Sequence, residues 1–382
     1  MRAGTLPRSS APRGRRAVAC SCQSGQSLFI FGLGYTSLGL VRQAEAQQRW
    51  QRIVSTSRSP ERLAGLETQA HSVVKFDPTA GADLEGPALD ALMASSHVLT
   101  SVPPAGLHLY DPVTRAQLRL LRRRAEAAAA GGAPPLRWLG VLSSTSVYGD
   151  HGGGWVDESS EARPGSRGLV RLEHEDAWAA LARELQLPLS IFRLGGIYGP
   201  GRSVLDAVRR SAAEASGSQR RRASQHYISR CHAADIAAAL LASMAAAEGG
   251  GGASSSGGAS GGSGSTNSSS KGGGGGCVSV FNVADDAPAG RDEVEAFART
   301  LLGLPEPPPP QDEMAPAGGA ARGGAAEEKR VGNAKIKAEL GVRLRYPTYK
   351  EGLAAIAAGV ADPFLNAADV ELLTGRPFAV GA

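Results

Sequence analysis

A glycine-rich turn between residues 32 and 37 is the part of the chain whose spacing suits it to bind a phosphate group. Its sequence, Gly-Leu-Gly-Tyr-Thr-Ser, matches Gly-x-Gly-x-x-Gly except that Ser37 replaces the third glycine. The first two glycines allow a tight turn and the close approach of backbone N–H groups to a pyrophosphate, whereas the third position needs only a small residue. The predicted cofactor contacts in this turn are Gly32, Gly34, Tyr35, Thr36 and Ser37. A fortuitous glycine turn is the alternative.

The end of the second predicted strand bears on which dinucleotide is bound. An NAD-preferring site usually has Asp or Glu there, about 20 residues after the turn, to bind the ribose hydroxyls. Residues 55–58 read Ser-Thr-Ser-Arg, with no acidic residue. A carboxylate would repel a 2′-phosphate, whereas hydroxyls and the Arg58 guanidinium favour it. The segment therefore predicts NADP as the cofactor and leaves NAD open, unless Arg58 is only a solvated loop charge.

The 382-residue chain has a formal net charge of +5, and the location of that charge decides what it indicates. Residues 1–27 hold five arginines and no acidic residue, and the rest of the chain holds 36 basic and 36 acidic residues. This neutral body makes nucleic acid an unfavoured partner. The Arg-, Ser- and Ala-rich segment 1–27 has the composition of an organellar transit peptide and predicts the chloroplast, with the mitochondrion second and a disordered tail as the alternative.

Composition also narrows the other classes of protein. Hydrophobic residues make up 42% of the chain and charged residues 20%, as in ordinary globular domains. No apolar run approaches the roughly 20 residues of a membrane-spanning helix. The four cysteines do not have the spacing of metal ligands. The expected partner is a small-molecule substrate, with no membrane span and no metal, and the oligomeric state is left open.

Short apolar runs alternate with helical patterns along the first 200 residues. The predicted strands cover residues 27–31, 52–56, 72–76, 97–102, 138–143 and 189–194. The predicted helices cover residues 35–48, 88–95, 112–130 and 173–185. Strands that alternate with helices predict an α/β fold with a Rossmann-type doubly wound parallel sheet. Later helices near 204–216, 234–247, 291–302 and 333–340, with a strand at 278–282, predict a smaller mixed C-terminal lobe.

Low-complexity segments define the predicted domain organisation. Residues 249–276 are almost entirely Gly and Ser, and residues 305–326 combine a proline run with Gly and Ala. Such segments cannot bury enough apolar surface to offset the entropy of ordering. The predicted organisation is a transit or disordered segment 1–27, a dinucleotide-binding domain 28–203, a substrate lobe 204–360 with disordered insertions 249–276 and 305–326, and a tail 361–382.

Two longer segments follow the fifth and sixth predicted strands. They read Leu-Ser-Ser-Thr-Ser-Val-Tyr-Gly-Asp at 142–150 and Phe-Arg-Leu-Gly-Gly-Ile-Tyr-Gly-Pro-Gly-Arg at 192–202. These segments, with shorter matches at 229–236, 281–286 and 329–341, resemble extended short-chain dehydrogenases/reductases, the NAD(P)-dependent epimerase/dehydratase group. The resemblance spans about residues 28–358. The set is specific for the superfamily but does not identify a reaction.

The resemblance implies catalytic roles that this chain supplies only in part. Ser144 stands where the family has a catalytic Ser or Thr, whose hydroxyl polarises a substrate carbonyl or alkoxide. The family's Tyr-x-x-x-Lys pair aligns with Arg167 and Arg171. Arg171 keeps the charge and donors to hold the nicotinamide ribose, but Arg167 cannot exchange a proton. Tyr148 is the natural replacement for the missing phenol, and we expect its role in turnover to be secondary.

Two more residues are candidates for substrate binding. Arg202, just past Gly-Pro-Gly, is expected to bind an anionic substrate, and His232 either contacts substrate or has a structural role at the start of a helix. The resemblance implies an atypical NAD(P)-binding oxidoreductase or epimerase/dehydratase that acts on a small polar or sugar-linked substrate. The missing Tyr/Lys pair keeps a second interpretation open, a non-catalytic dinucleotide-binding scaffold or regulatory plastid protein, including one associated with RNA.

Overall fold

The computed structural model describes residues 25–81, 83–106, 111–209, 225–249, 278–305, 327–359 and 364–375. Nearly all of the predicted transit segment and of the two predicted insertions lies outside these residues. The predicted domain boundaries at those segments therefore stay predictions.

A seven-stranded parallel sheet forms the centre of the protein, in the order β10-β7-β5-β4-β1-β2-β3. Its strands are β1 Gln26–Phe31, β2 Trp50–Ser57, β3 His71–Lys75, β4 His97–Thr100, β5 Trp138–Ser144, β7 Leu189–Leu194 and β10 Val278–Val283. Two short parallel pairs lie outside it, β6 Trp155–Val156 with β11 Arg330–Val331 and β8 Gly196–Tyr198 with β9 Arg230–His232. The sheet confirms the predicted Rossmann-type α/β fold.

Helices cover both faces of this sheet. They are α1 Tyr35–Ala46, α2 Gly86–Ala94, α3 Pro112–Ala129, α4 Ser166–Glu184, α5 Val204–Arg209, α6 Ala233–Gly249, α7 Arg291–Leu301, α8 Ala334–Leu340, α9 Tyr349–Ala357 and α10 Ala367–Thr374. Residues of α1 and α6 pack in one buried cluster, and residues of α2, α3 and α4 pack in another. The strands are apolar on both sides because both faces are covered, as expected for a parallel sheet.

The strand order reverses beside β1, and this reversal positions the site. β1 pairs with β2 on one side and with β4 on the other. The chain leaves β1 and crosses to β2 through α1, and later returns to the opposite side of β1 at β4. A crevice opens at the carboxyl ends of the strands at such a switch point. The predicted glycine turn lies at this crevice.

Two C-terminal segments differ from the sequence-based expectation. The strand predicted in the second lobe, β10, pairs with β7 in the main sheet, so the chain returns to this sheet after residue 204. The predicted tail contains α10, whose Asp369 accepts a hydrogen bond from Arg42 Nε at 2.8 Å, while Leu365 is 0% exposed. Each of these segments is held by contacts with residues more than 80 positions away, which local sequence patterns do not reveal.

Candidate functional site

A cleft of about 250 Å³ opens at the carboxyl ends of the central strands. The glycine turn after β1 forms one wall, the β1 wall, through Gly34, Tyr35, Thr36 and Ser37. The opposite wall, the β5 wall, comes from the ends of β5 and β7 and from α4. Beyond the turn, the polar and charged lining residues are Ser101 after β4, Ser143 on β5, Arg171 on α4 and Arg202 in the loop after β8.

Gly32 requires glycine because of its backbone and its surroundings. Its φ is +89°, and an added Cβ would lie 2.5 Å from Val102 Cγ2. The turn is tied to β2, since Gly32 N–H donates to Thr56 Oγ1 at 2.9 Å and Leu33 N–H donates to the Thr56 carbonyl at 2.8 Å. Thr56 is 2% exposed, so its hydroxyl serves the turn.

Ser37 holds the turn together from inside. Its Oγ accepts from Gly34 N–H at 2.7 Å and donates to the Gly32 carbonyl at 2.8 Å. Ser101, at the end of β4, donates to the same carbonyl at 2.6 Å. The serine in place of the third glycine thus stabilises the turn through these hydrogen bonds. Sequence analysis missed Ser101, although it directly follows a buried strand at the same sheet edge.

Tyr35 and Arg202 join the glycine turn to the loop after β8. The Tyr35 hydroxyl donates to the Pro200 carbonyl at 2.8 Å, and an added Cβ on Gly199 would lie 2.5 Å from that hydroxyl. Arg202 Cζ lies 5.5 Å from the centre of the Tyr35 ring. Arg202 is exposed and has no carboxylate within ion-pair distance among the described residues. It lies beside the glycine turn, at the same end of the cleft.

Arg58 lies just beyond the end of β2, and its side chain is exposed. Asp77 follows β3, next to this position. Hydrogen bonds from Thr79 lower the pKa of Asp77, and the nearby charge of Arg58 lowers it further. The structure therefore brings one cation and one carboxylate to this edge of the sheet.

Tyr148 belongs to a buried network behind the β5 wall. Its hydroxyl donates to Asn282 Oδ1 at 2.8 Å, and the Arg193 guanidinium lies 4.9 Å from the centre of its ring. Arg193 also pairs with Glu175 at 2.8 Å, and Glu175 accepts from Ser143 Oγ. Tyr148 is 0% exposed, and burial raises its pKa. Its phenol is thus held in the protein interior by Asn282.

Ser144 lies at the end of β5, next to the cleft residue Ser143. It is half-buried, and its Oγ accepts from Ser146 N–H at 3.2 Å, which caps the short 3-10 turn Thr145–Tyr148. None of the described residues accepts its O–H hydrogen. Ser143 lines the cleft and donates its hydroxyl hydrogen to Glu175, whereas Ser144 is not among the residues that line the cleft.

The two arginines aligned with the Tyr/Lys pair lie one turn apart on α4, which begins seven residues earlier than predicted. Arg167 is exposed to solvent, whereas Arg171 is half-buried and lines the cleft. Burial lowers the pKa of Arg171, and the charge of Glu175 opposes that shift. Arg171 has no hydrogen-bond acceptor among the described residues.

His232 does not line the cleft. It is 1% exposed, and its Nδ1 accepts from Ala234 N–H at 3.1 Å at the start of α6. The Tyr346 ring centre lies 4.1 Å from its own, and Tyr198 packs edge-on at 5.1 Å. Burial and the charge of Arg345 lower its pKa to about 3, so the ring is neutral. This placement favours the structural role over the substrate contact.

Two further observations concern metals and membranes. Across the described ranges, no group of three or more His, Cys, Asp or Glu side chains is placed to hold a metal ion. None of the helices in the described part of the chain is long and apolar enough to cross a membrane.

Solved structures include a sequence relative of this chain. A functionally unknown conserved protein from Silicibacter pomeroyi DSS has 35% sequence identity and a TM-score of 0.63. The match covers 87% of this chain and 99% of that chain. No protein-family model and no curated protein sequence matches.

More distant structures show the same fold in enzymes. MoeE5 in complex with UDP-glucose and NAD is 20% identical, with a TM-score of 0.58 over 86% of this chain and 96% of that chain. dTDP-glucose 4,6-dehydratase from Bacillus anthracis in complex with NAD is 15% identical, with a TM-score of 0.58 over 86% of this chain and 94% of that chain. Both of these structures hold NAD and share the fold of this chain.

Proposed function

We propose that this chain, which belongs to the same family as the functionally unknown Silicibacter pomeroyi protein, is a nicotinamide dinucleotide-binding enzyme. Its reaction would be of the oxidoreductase or epimerase/dehydratase type, on a small polar or sugar-linked substrate. The observation that carries the proposal is the glycine turn between β1 and α1, which opens into a cleft at the switch point of the sheet.

The residues of the wall formed by the glycine turn fit a dinucleotide pyrophosphate. Gly34 leaves the space in front of the turn open, because an added Cβ would have only Ser37 Oγ near it, at 4.0 Å. The N-terminus of α1 begins there and favours negative charge. Arg202 adds a guanidinium at the same end, so we assign it to the pyrophosphate rather than to the substrate. Thr36 and Tyr35 would contribute backbone N–H groups.

We further propose that NADP is preferred over NAD. The hydroxyl of Thr56 is used inside the turn, and Ser57 Oγ accepts from Ser59 N–H at 3.1 Å, which leaves Arg58 as the group for a 2′-phosphate. Its exposed guanidinium can form two parallel hydrogen bonds with phosphate oxygens. The NAD complexes of MoeE5 and of the dehydratase support a nicotinamide dinucleotide in general.

The β5 wall would hold the reacting part of the substrate. A bound nicotinamide supplies a hydride acceptor or donor. Ser144 would donate its O–H hydrogen to the substrate oxygen. Among the described residues that line the cleft, Tyr35 alone has an ordinarily titratable hydroxyl, carboxyl, thiol or imidazole group, and its phenol is bonded to Pro200. Water would therefore carry the proton.

Nucleotide titrations and two variants test the proposal. The purified chain should bind NADPH, and the cofactor and metabolite that stay bound through purification identify candidate substrates by mass spectrometry. Ser144→Ala should abolish turnover and leave nucleotide affinity unchanged. Tyr148→Phe should reduce turnover less than about tenfold, because its phenol bonds Asn282 and not the substrate. Equal loss in both variants would identify Tyr148 as the proton-transfer group.

A non-catalytic scaffold is the second candidate function. The observation that favours it is the pair Arg167 and Arg171, which stand where the family's proton-transfer residues would be. This candidate predicts nucleotide binding without oxidation of NADPH by any substrate, and no effect of Ser144→Ala. Transfer of a substrate hydrogen to labelled cofactor would exclude it.

We also propose that residues 1–27 direct the protein to the chloroplast. Support comes from five arginines without an acidic residue in this segment. A fluorescent reporter fused behind it should enter plastids, and entry into mitochondria would support the second choice. A reporter that stays in the cytosol would contradict both.

A further inference from the structure

Arg171 differs from the other arginines that this protein shields from solvent. Elsewhere on the described part of the chain such side chains donate to fixed acceptors. Examples are Asp369 for Arg42, the Ser95 and Pro134 carbonyls for Arg124, Glu175 for Arg193, and the Ile228 and Ala289 carbonyls for Arg230. Arg171 is half-buried in the cleft wall without any such acceptor.

The nearest carboxylate does not neutralise Arg171. Glu175 lies one helical turn further along α4, but it accepts three hydrogen bonds from Arg193, at 3.2, 3.2 and 2.8 Å, and another from Ser143. No Asp or Glu is among the described residues that line the cleft. Removing a cation from water without a partner costs free energy, so binding of an anion to this guanidinium is favoured.

The dinucleotide of the proposed function does not supply that anion. Its negative charge would lie at the glycine turn, at the end of β1, near Arg202. Arg171 adjoins the end of β5, two strands away in the order β5-β4-β1, or about 10 Å. The ribose and nicotinamide beyond the pyrophosphate carry no negative charge, so the ribose hydroxyls would leave the charge of Arg171 unbalanced.

We propose that Arg171 binds a carboxylate or phosphate of the substrate at the β5 end of the cleft. The inference rests on the proposed function and specifies its substrate class as anionic. A guanidinium suits this role because its planar fork donates two parallel hydrogen bonds to either group. Ser144, at the end of the same strand, would then meet an oxygen on the carbon skeleton beside the anion.

Equilibrium titrations with small probes test the inference. Acetate and inorganic phosphate represent the two anions, and acetamide is the uncharged match for acetate. Each is titrated at constant ionic strength into the full chain saturated with NADPH, and again into the nucleotide-free chain. The variants are Arg171→Gln, Arg171→Lys and, as the control, Arg167→Gln, which changes an exposed arginine one turn away on α4. Thermal melts confirm that each variant is folded.

The wild type should bind at least one anion and discriminate against acetamide. Arg171→Gln should lower that affinity about tenfold to a hundredfold, Arg171→Lys less, and Arg167→Gln less than about twofold. The anion that binds distinguishes a carboxylate from a phosphate. No anion binding by the wild type, equal binding of acetamide, or unchanged affinity in Arg171→Gln would overturn the inference. Failure to bind NADPH would instead overturn the proposed function, because the nucleotide-free titrations still report on Arg171.

Discussion

The two walls of the cleft are built in opposite ways. At the β1 wall, the hydroxyls of Ser37 and Ser101 bond the backbone of the turn, and the backbone itself faces the cleft. At the β5 wall, side chains bond one another behind the surface, where Glu175 joins Ser143 to Arg193. One wall thus presents backbone N–H groups, and the other presents the unpaired guanidinium of Arg171.

This difference separates the part of the site that resembles the wider fold from the part that is specific to this chain. A backbone turn binds a pyrophosphate in any sequence that can form the turn, so small residues suffice there. Side chains determine what the β5 wall can do, and here Arg167 and Arg171 stand at the positions to which the sequence resemblance assigns a proton-transfer pair. We expect the first wall to set cofactor binding and the second to set substrate class.

Glu175→Gln should disrupt the buried network behind the β5 wall and give the largest loss of stability among the variants considered. It leaves Arg193, whose side chain is 10% exposed, without its carboxylate. Removal of one partner of a buried ion pair costs about 3–5 kcal/mol. Urea unfolding should show this decrease in the free energy of unfolding.

Glu184→Gln is the matched control for that measurement, since both carboxylates lie on α4. Glu184 pairs with Arg122 at the surface, where the two side chains are 54% and 44% exposed. Its loss should cost far less stability than that of Glu175, because water and salt screen an exposed ion pair. Equal losses in the two variants would contradict the idea that the buried network supports the β5 wall.

Arg58→Ala tests whether the side of the cleft at the β1 wall binds the cofactor and whether Arg58 determines the preference for NADPH. The variant should lose tenfold to a hundredfold in NADPH affinity, about 1.5–3 kcal/mol for one charge-assisted pair, and keep its NADH affinity. Titration of both nucleotides into both proteins measures the difference. Equal affinities of the wild type for the two nucleotides would show that Arg58 points away from the site.

Acid titration should confirm that His232 belongs to the core and to neither wall. Its pKa falls from 6.5 to about 3 on folding, so the neutral ring contributes stability in full above pH 6.5 and loses it as the pH falls toward 3. His232→Asn can still cap α6 but does not titrate. Between pH 6.5 and 4, the free energy of unfolding of this variant should therefore fall less steeply than that of the wild type. The difference between the two slopes should be about 1.4 kcal/mol per pH unit. If the free energies of unfolding of the wild type and of His232→Asn fall equally with pH, the imidazole must be exposed to solvent, which would contradict its burial.

Local patterns predicted most of the sheet, but they did not show which candidate residues line the cleft. The glycine turn and the alternation of strands and helices are encoded within a few neighbouring residues, and the structure confirms the fold they predict. Tyr148 was a candidate because it lies close to Ser144 in sequence. Its burial depends on Asn282, which is 134 positions away, and no local pattern contains that contact.

Arg202 shows the same limit. Its position after Gly-Pro-Gly identified it as a cleft residue, but the end of the cleft that it reaches depends on the bond between Tyr35 and Pro200 across 165 positions. The network of Ser143, Glu175 and Arg193 likewise joins three separate elements. Sequence analysis therefore found the residues of the cleft more readily than it found their partners.

The central claim, that the glycine turn binds a dinucleotide, is tested most directly by NADPH titration of Gly34→Ala against Gly39→Ala. The added methyl at Gly34 meets only Ser37 Oγ, at 4.0 Å, and lies where the pyrophosphate must approach, whereas the one at Gly39 makes an ordinary contact with Leu365 at 3.4 Å. We predict that Gly34→Ala keeps its melting temperature and loses at least about tenfold in NADPH affinity, and that Gly39→Ala keeps both. Unchanged NADPH affinity in a folded Gly34→Ala protein would contradict the claim.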